Sequence, residues 1–512
     1  MEAIQATQAA LQHRLTSFSR YATDFFIPYI IASSYFWEIE KDRLVQKDPV
    51  ETAKAYMDLL FFNMDLFNRG FDGYLKNAGK AADIEMEHLF AALFDAFEMA
   101  DSKSVKAYIR RQEKLMEMIN SGYPDAIEAI EPEYGFHFER GTNPKVAETD
   151  RFLLYQIMPT DKDVTVRKNG KPILIIPPYV LGANILAFLP GENRSYAHSF
   201  ANKGIPTYIR ILKDIATTEA LQAMTGDDDA TDTRIFCEKI QTLHGRPVTL
   251  NGYCQGGYSG LCDLLSGELD GLVDAFITCV APMDGTRSRG LADFLKKLPT
   301  RFNDLAYGTK TLPNGNQVAD GKLMGWVYKL KSIDTESPVS TFYRDLMMFS
   351  RQKSDKLKVG KTAAALNYWL NNERFDLPLK ITEMSFASYN TPITADGTLP
   401  ISLFGRKLNF NYIKEKKIPW LICYGESDDL VEKETALAPL DWVDAEVSAF
   451  PKGHVAIATS WSHPESDYAL DTRFGEKKYR GPVLFQMDLE AEQDKAAQAK
   501  KPSAPRIQRR GK

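Results

Sequence analysis

From Met1 to about Glu133 the apolar residues recur at intervals of three and four, the period of a helix with one apolar face. The clearest stretch, PVETAKAYMDLLFFNMDLFNRGFDGYLKNA over 49–78, sets Tyr56, Leu59, Leu60, Met64, Leu66 and Phe67 on such a stripe, with Thr52 available as the N-cap. A stripe of this kind predicts a helix packed into its own fold, in a helical region over 1–135. Past Pro132 the period shortens to two, in RFLLYQIMP (151–159) and VTVRKNGKPILIIPPYV (164–180), where Asn169-Gly170 has the form of a hairpin turn. Further strand-like runs are IPTYIRIL (205–212), RPVTLNGY (246–253), VDAFITCVAPMD (273–284), IPWLICYG (418–425) and AEVSAF (445–450), and helix-length segments separate most of them. That alternation predicts an α/β domain over about 150–470, a mostly parallel doubly wound sheet with helices on both faces.

The interval 286–417 breaks the alternation. It is aromatic and rich in helix fragments (LMGWVYKL, STFYRDLMMFS, AALNYWLNN), and reads as a helical cap inserted into the sheet domain. The basic, Pro- and Ala-containing end is expected to be a disordered tail over 490–512. A chain of 512 residues with 44% hydrophobic content holds ample core. Its net charge of −5, spread along the sequence, leaves no nucleic-acid footprint. DFFIPYIIASSYFWEI (24–39) is the most membrane-like segment, but Pro28 interrupts it and it is short of the roughly 20 apolar residues a spanning helix needs. Five cysteines without a CxxC pair, and no signal-peptide pattern before residue 30, point to a reducing cytoplasm.

One cysteine stands apart. Cys254 lies in NGYCQGGYSG, a strand followed by G-x-C-x-G and then a helix, the sequence form of a nucleophile elbow. Gly252 and Gly256 suit a turn where Cβ atoms would collide, Gly257 lets the helix start close to the sheet, and the helix N-terminus favours negative charge on the exposed side chain. Cys237, Cys262, Cys279 and Cys423 lie inside apolar runs and read as buried small hydrophobes. A nucleophile of this kind needs a base and an orienting acid, which in such sheets follow it in the order acid, histidine. His454, in AFPKGHVAIA after the last strand-like run, is the candidate base; His463 is the fallback, and His244, at the far end of the nucleophile strand, reads as a surface or capping residue. In WLICYGESDDLVEKE the acid is Asp428 or Asp429, and spacing alone does not separate them. The oxyanion donors would be the backbone N–H of Gln255 and one from the loop PPYVLG, at Tyr179 or Val180. DDDATD (227–232) lacks the glycine and terminal glutamate of a calcium loop and reads as helix capping.

Taken in order, ILIIPPYVLGANILAFLP, NGYCQGGYSG, YGESDDLV and GHVAIA resemble the polyhydroxyalkanoate synthases, cysteine-nucleophile members of the α/β-hydrolase fold, over roughly residues 150–470. The resemblance implies that Cys254 carries the acyl group, His454 is the base and Asp428 the acid, three residues after Gly425. It implies polymerisation of a hydroxyacyl-CoA substrate with release of CoA, no separate cofactor or metal, a homodimer, and contact with a granule or membrane surface. The chain departs from the family in two places: Asp429 and LVEKE stand where the family has a histidine and then Pro-Trp, and IRILKDIATTEA replaces its Ser-Trp-Arg-Asn-Pro stretch. A thioesterase or esterase on the same Cys-His-Asp set, and a non-catalytic homologue, are the alternatives.

Overall fold

A computed structural model describes residues 48–499, save 101, 292–293, 295, 297–307 and 353–355, together with five isolated positions between 12 and 23. The apolar segment at 24–39 and the tail at 500–512 lie outside the described residues.

Eight strands form the central sheet: β1 (Lys145–Glu148), β2 (Phe152–Ile157), β3 (Ile173–Ile176), β4 (Thr207–Leu212), β5 (Val248–Tyr253), β6 (Val273–Cys279), β7 (Trp420–Gly425) and β8 (Glu446–Phe450). Their order is β1-β2-β4-β3-β5-β6-β7-β8. All neighbours from β4 to β8 run parallel, while β2 is antiparallel to both β1 and β4. Every residue of β3, β5 and β7 is buried, as expected of parallel strands covered on both faces. The chain order reverses at β3, so the carboxyl ends of β3 and β5 open on a shared crevice. This is the α/β-hydrolase fold.

The strand-like runs expected from the sequence all form, with one exception. Residues 164–170 make no strand, and Asn169-Gly170 is a turn rather than a hairpin. The backbone there is engaged elsewhere: Arg167 N–H donates to Gly204 O, and Gly170 packs so tightly on Pro206 that a Cβ would lie 2.9 Å from it. β1 carried no sequence signal, being an edge strand of four residues with no buried position. The helix α6, Pro482–Ala499, packs Val483 and Phe485 into the core of the sheet domain, so the fold continues past 470 and the tail boundary placed at 490 falls inside a helix.

The first long helix, α1, runs Pro49–Met99. It starts three residues before Thr52, because Pro49 suits the first helical position and Asp48 caps it by accepting from Val50 N–H at 2.9 Å. The stripe expected to be core divides. Phe62 and Leu66 are buried against Phe294 and Ile333, whereas Leu60, Met64 and Phe67 are exposed. A helix of 51 residues, roughly 76 Å long at 1.5 Å per residue, carries apolar side chains on more than one face, and the cap covers only one of them. The side chains of Tyr56 and Leu59 lie outside the described residues.

The cap is mainly helical and includes α4 (Lys361–Asn372) and α5 (Leu379–Asn390). It also holds a hairpin, Thr398–Leu403 with Arg406–Asn409, and a three-stranded sheet of Thr309–Thr311, Gln317–Ala319 and Leu377–Pro378. These strands are too short to leave a period in the sequence.

Candidate active site

Cys254 joins β5 to the helix α3, Gln255–Leu265, and its backbone has φ 53° and ψ −128°, a conformation strained for any residue with a Cβ. The turn is held from both sides, with Cys254 N–H donating to Cys279 O at 2.8 Å and Gly257 N–H donating to Cys254 O at 2.9 Å. Close approach explains the glycines. A Cβ on Gly252 would lie 2.3 Å from Gly257 Cα, and one on Gly256 would lie 2.3 Å from Ile176 O, the end of β3. The elbow therefore sits directly against the loop that follows β3.

His454 follows β8, and its Nδ1 lies 2.8 Å from Asp428 Oδ2. Asp428 follows β7, and its Oδ1 accepts from the N–H groups of Leu430 and Val431, both at 2.9 Å, which fixes the carboxylate. Tyr253, beside the cysteine, donates its hydroxyl to His454 O at 3.0 Å. Burial alone would lower the imidazole's pKa, but the Asp428 carboxylate, by charge and by hydrogen bonding, and the Cys254 sulfur, by charge, hold it well above the usual histidine value. The buried Nε2 makes no conventional hydrogen bond, and Cys254 is its electrostatic partner. The geometry separates the two aspartates: Asp429 is exposed and pairs with Lys331 at 3.1 Å.

The other histidines stand elsewhere. His463 Nδ1 accepts from Glu465 N–H at 3.2 Å within its own loop. His244 is buried rather than superficial: its Nε2 lies 2.7 Å from Tyr208 Oη and its Nδ1 2.6 Å from Lys168 O, so it ties α2 (Gly226–His244) to the sheet. Cys237, Cys262, Cys279 and Cys423 are buried, and burial pushes the thiols of Cys237 and Cys262 up.

Above Cys254 lies an apolar cleft, open at one side. Val180, Leu181 and Gln255 line its floor beside the thiol, and Met324, Phe386 and Tyr389 of the cap line its roof. Val180 thus reaches the cleft, whereas Tyr179 turns its side chain into the core beneath. There Arg210, fully buried on β4, lies 2.8 Å from Asp229 Oδ1 and donates to Tyr179 Oη at 2.6 Å, while the Tyr179 hydroxyl donates to Asp229 Oδ2 at 2.7 Å. Ser259 and Asp263 of α3 complete the cluster, and burial with the neighbouring Asp229 carboxylate pushes the Asp263 carboxyl well up. Asp229 is the third residue of DDDATD. Two residues before its start, Thr225 forms a capping box with Asp228. Removing the Tyr179 hydroxyl leaves a buried carboxylate short of one donor. Tyr179→Phe is therefore expected to cost about 1–3 kcal/mol, read as a lower denaturant midpoint at unchanged m-value.

The loop is gripped from the cap as well. Phe375 N–H donates to Val180 O at 3.1 Å and Trp369 Nε1 to Leu181 O at 2.9 Å. Glu373 accepts from Asn184 Nδ2 at 2.7 Å and from the Tyr134 hydroxyl at 3.1 Å. Burial drives the Glu373 carboxyl up to about 7, outweighing those two bonds. The folded protein then binds a proton at Glu373 that the unfolded chain releases near the ordinary carboxylate value, so the contribution of this group to stability falls as pH rises through 4.5 to 7 and is level above. Glu373→Gln is expected to make the fall of stability between pH 4.5 and 7 shallower and to stabilise the protein at pH 8 by on the order of 2 kcal/mol, measured by denaturant unfolding at several pH values. An unchanged slope would place the titrating group elsewhere.

Neither Arg210 nor Glu373 was singled out from the sequence, although an arginine inside the apolar strand IPTYIRIL was a signal to follow. Among the described residues no group of three or more histidine, cysteine or carboxylate side chains is placed to hold a metal ion. No helix among them is long and apolar enough to cross a membrane.

No family profile matches the chain, and no curated protein does. Solved structures are similar at low identity. A meta-cleavage product hydrolase from Pseudomonas fluorescens is 12% identical at a TM-score of 0.32, over 67% of this chain and 95% of that one. An esterase from Rhodococcus is 11% identical at 0.34, over 69% and 98%. Likeness at this level carries no argument about chemistry, and the fold rests on the strand order and the elbow described above.

Proposed function

We propose that the protein is an acyltransferase of the polyhydroxyalkanoate synthase type, which carries a (R)-3-hydroxyacyl group as a thioester on Cys254. The observation that carries this reading is a strained cysteine, beside a histidine bound to a buried aspartate, on the floor of an apolar cleft roofed by the cap. His454 Nε2 takes the thiol proton, and the thiolate adds to the carbonyl carbon of the CoA thioester. The oxyanion is met by the N–H of Gln255, which as the first residue of α3 has no intrahelical acceptor, and by an N–H of the loop at Val180. The carbon–sulfur bond to CoA breaks, and the imidazolium gives its proton to the departing thiolate. In the second half His454 takes the proton of a 3-hydroxyl group, the oxygen attacks the acyl carbon, an ester forms and the Cys254 thiolate is released.

The choice of sulfur fits transfer. Exchange of one thioester for another keeps the acyl group activated, whereas a serine would hold it as an oxygen ester of lower transfer potential. The cleft excludes water with apolar cap residues, which favours the hydroxyl of a bound acyl unit over hydrolysis. A thioesterase on the same three residues is the second reading, favoured by IRILKDIATTEA, where Arg210 serves the buried cluster instead of contacting substrate. The test is incubation with (R)-3-hydroxybutyryl-CoA and separation of the acyl product. Insoluble polyester supports the synthase reading, and free acid alone replaces it with the thioesterase reading.

A further inference from the structure

Among the described residues that line the cleft above Cys254, polar side-chain atoms come from Cys254, Gln255, Ser385 and Tyr389. Ser385 and Tyr389 belong to α5 of the cap, as does Phe386. At about 100° per residue these three fall within one arc of about 100°, so the helix presents them together. Close packing fixes α5 in place: a Cβ on Gly285 would lie 2.3 Å from the Tyr389 ring, on the segment that follows β6. The other hydroxyls of α5 are satisfied within the helix and its start. Thr382 Oγ1 donates to Pro378 O at 3.0 Å, and Ser388 Oγ donates to Ser385 O at 2.7 Å. Ser385 departs from this habit. Its side chain is half-buried at the cleft, and its Oγ makes no hydrogen bond to any described residue. In an apolar cleft, the few polar groups without a protein partner are the ones that orient a ligand.

We infer that the Ser385 hydroxyl hydrogen-bonds the 3-hydroxyl of the acyl group delivered to Cys254, and so selects 3-hydroxyacyl thioesters over plain acyl thioesters. This selection presupposes the acyl transfer to Cys254 proposed above and adds the residue that reads the acyl group. Such a thioester has two polar atoms near its sulfur, the carbonyl oxygen and the C3 hydroxyl two carbons farther out. The carbonyl oxygen goes to the backbone N–H groups at Gln255 and Val180, on the floor. The hydroxyl then lies among apolar side chains such as Leu181, Met324, Phe386 and Val431 unless the roof offers it a partner. Buried there alone it would cost binding energy, whereas a bond to Ser385 satisfies both groups. A plain acyl group leaves Ser385 unpaired in a dry cleft, and the site discriminates against it for that reason. Both hydroxyls can donate or accept, so the contact forms with no charge and no proton lost. The 3-hydroxyl therefore keeps the proton that His454 must later remove. Of the other polar side chains, Gln255 stands beside the thiol on the carbonyl's side, and Tyr389 packs its ring over Gly285.

The test mixes the full-length protein with (R)-3-hydroxybutyryl-CoA or with butyryl-CoA, which differ in that hydroxyl alone, and follows the first equivalent of CoA released by stopped flow. At equal subsaturating concentration the wild type is expected to be acylated roughly 10-fold faster by the hydroxylated thioester. Ser385→Ala is expected to slow that reaction by roughly 10-fold, leave the butyryl reaction within about twofold, and so bring the two rates to within about threefold of each other. The butyryl rate is also the control for folding, since a merely structural role of Ser385 would slow both reactions alike. Equal slowing overturns the selection by Ser385. A wild type that does not distinguish the two thioesters overturns it as well. So does a preference that survives in Ser385→Ala and is lost in Gln255→Met or Tyr389→Phe, which would assign the contact to another wall. In each of those cases Cys254 is still acylated, and the acyl-transfer chemistry stands without the selection. No CoA release from either thioester would overturn the chemistry, and the selection with it.

Discussion

Cys254→Ala is expected to abolish CoA release from (R)-3-hydroxybutyryl-CoA, a fall of about 10⁵-fold or more in turnover, followed with a chromogenic thiol reagent. The size follows from the role: without the sulfur there is no atom to carry the acyl group, and the oxyanion donors and cleft act on nothing but water. The elbow should survive the change, since alanine has the same Cβ in the same strained conformation and Cys254 N–H keeps its bond to Cys279 O. An unchanged thermal midpoint beside lost turnover therefore separates chemistry from folding. Cys262→Ala, one helical stretch further into α3 and fully buried, is the matched control and should leave turnover within a few-fold. Retained turnover in Cys254→Ala would end the nucleophile assignment.

Asp428→Asn is expected to lower turnover by about 10³–10⁴-fold, and Asp429→Asn by no more than a few-fold. The two neighbours differ in what they touch. Asp428 is buried, holds two backbone N–H groups with one oxygen and His454 Nδ1 with the other, and is a main source of the imidazole's raised proton affinity. An asparagine keeps the shape but loses the charge, and its amide can present a donor to Nδ1, which selects the wrong tautomer. The imidazole pKa should then fall, moving the acid limb of the pH–rate profile of Asp428→Asn to lower pH. Asp429 loses only an exposed pairing with Lys331, which in water contributes little. Greater damage from Asp429→Asn would overturn the placement of the acid.

Much of this site was legible because its residues follow one another in a fixed order on consecutive strand ends. The alternation of strand-like runs gave seven of the eight sheet strands, and the glycine frame marked Cys254 as the elbow. Spacing left Asp428 and Asp429 equal; a family resemblance favoured the first, and the hydrogen bond to His454 separates them in the fold. What stayed hidden depends on contacts between distant segments. Arg210, Asp229 and Asp263 come from a strand and two helices, and no local pattern announces that one buried cluster anchors the loop at Tyr179. The grip of Trp369 and Glu373 on that loop joins the cap to the sheet across nearly two hundred positions of chain. The α1 stripe shows the converse limit. Periodicity reveals an apolar face but not what covers it, so Met64 and Phe67, read as core, are exposed.

Mass spectrometry of the protein, quenched in acid shortly after mixing with (R)-3-hydroxybutyryl-CoA, reads directly whether Cys254 carries a covalent acyl group. The expected result is a mass increase of one or more hydroxybutyryl groups, confined to the peptide that contains Cys254, removed by hydroxylamine and absent from Cys254→Ala. Turnover with no adduct on that peptide, or with the adduct on another residue, would rule out Cys254 as the acyl carrier.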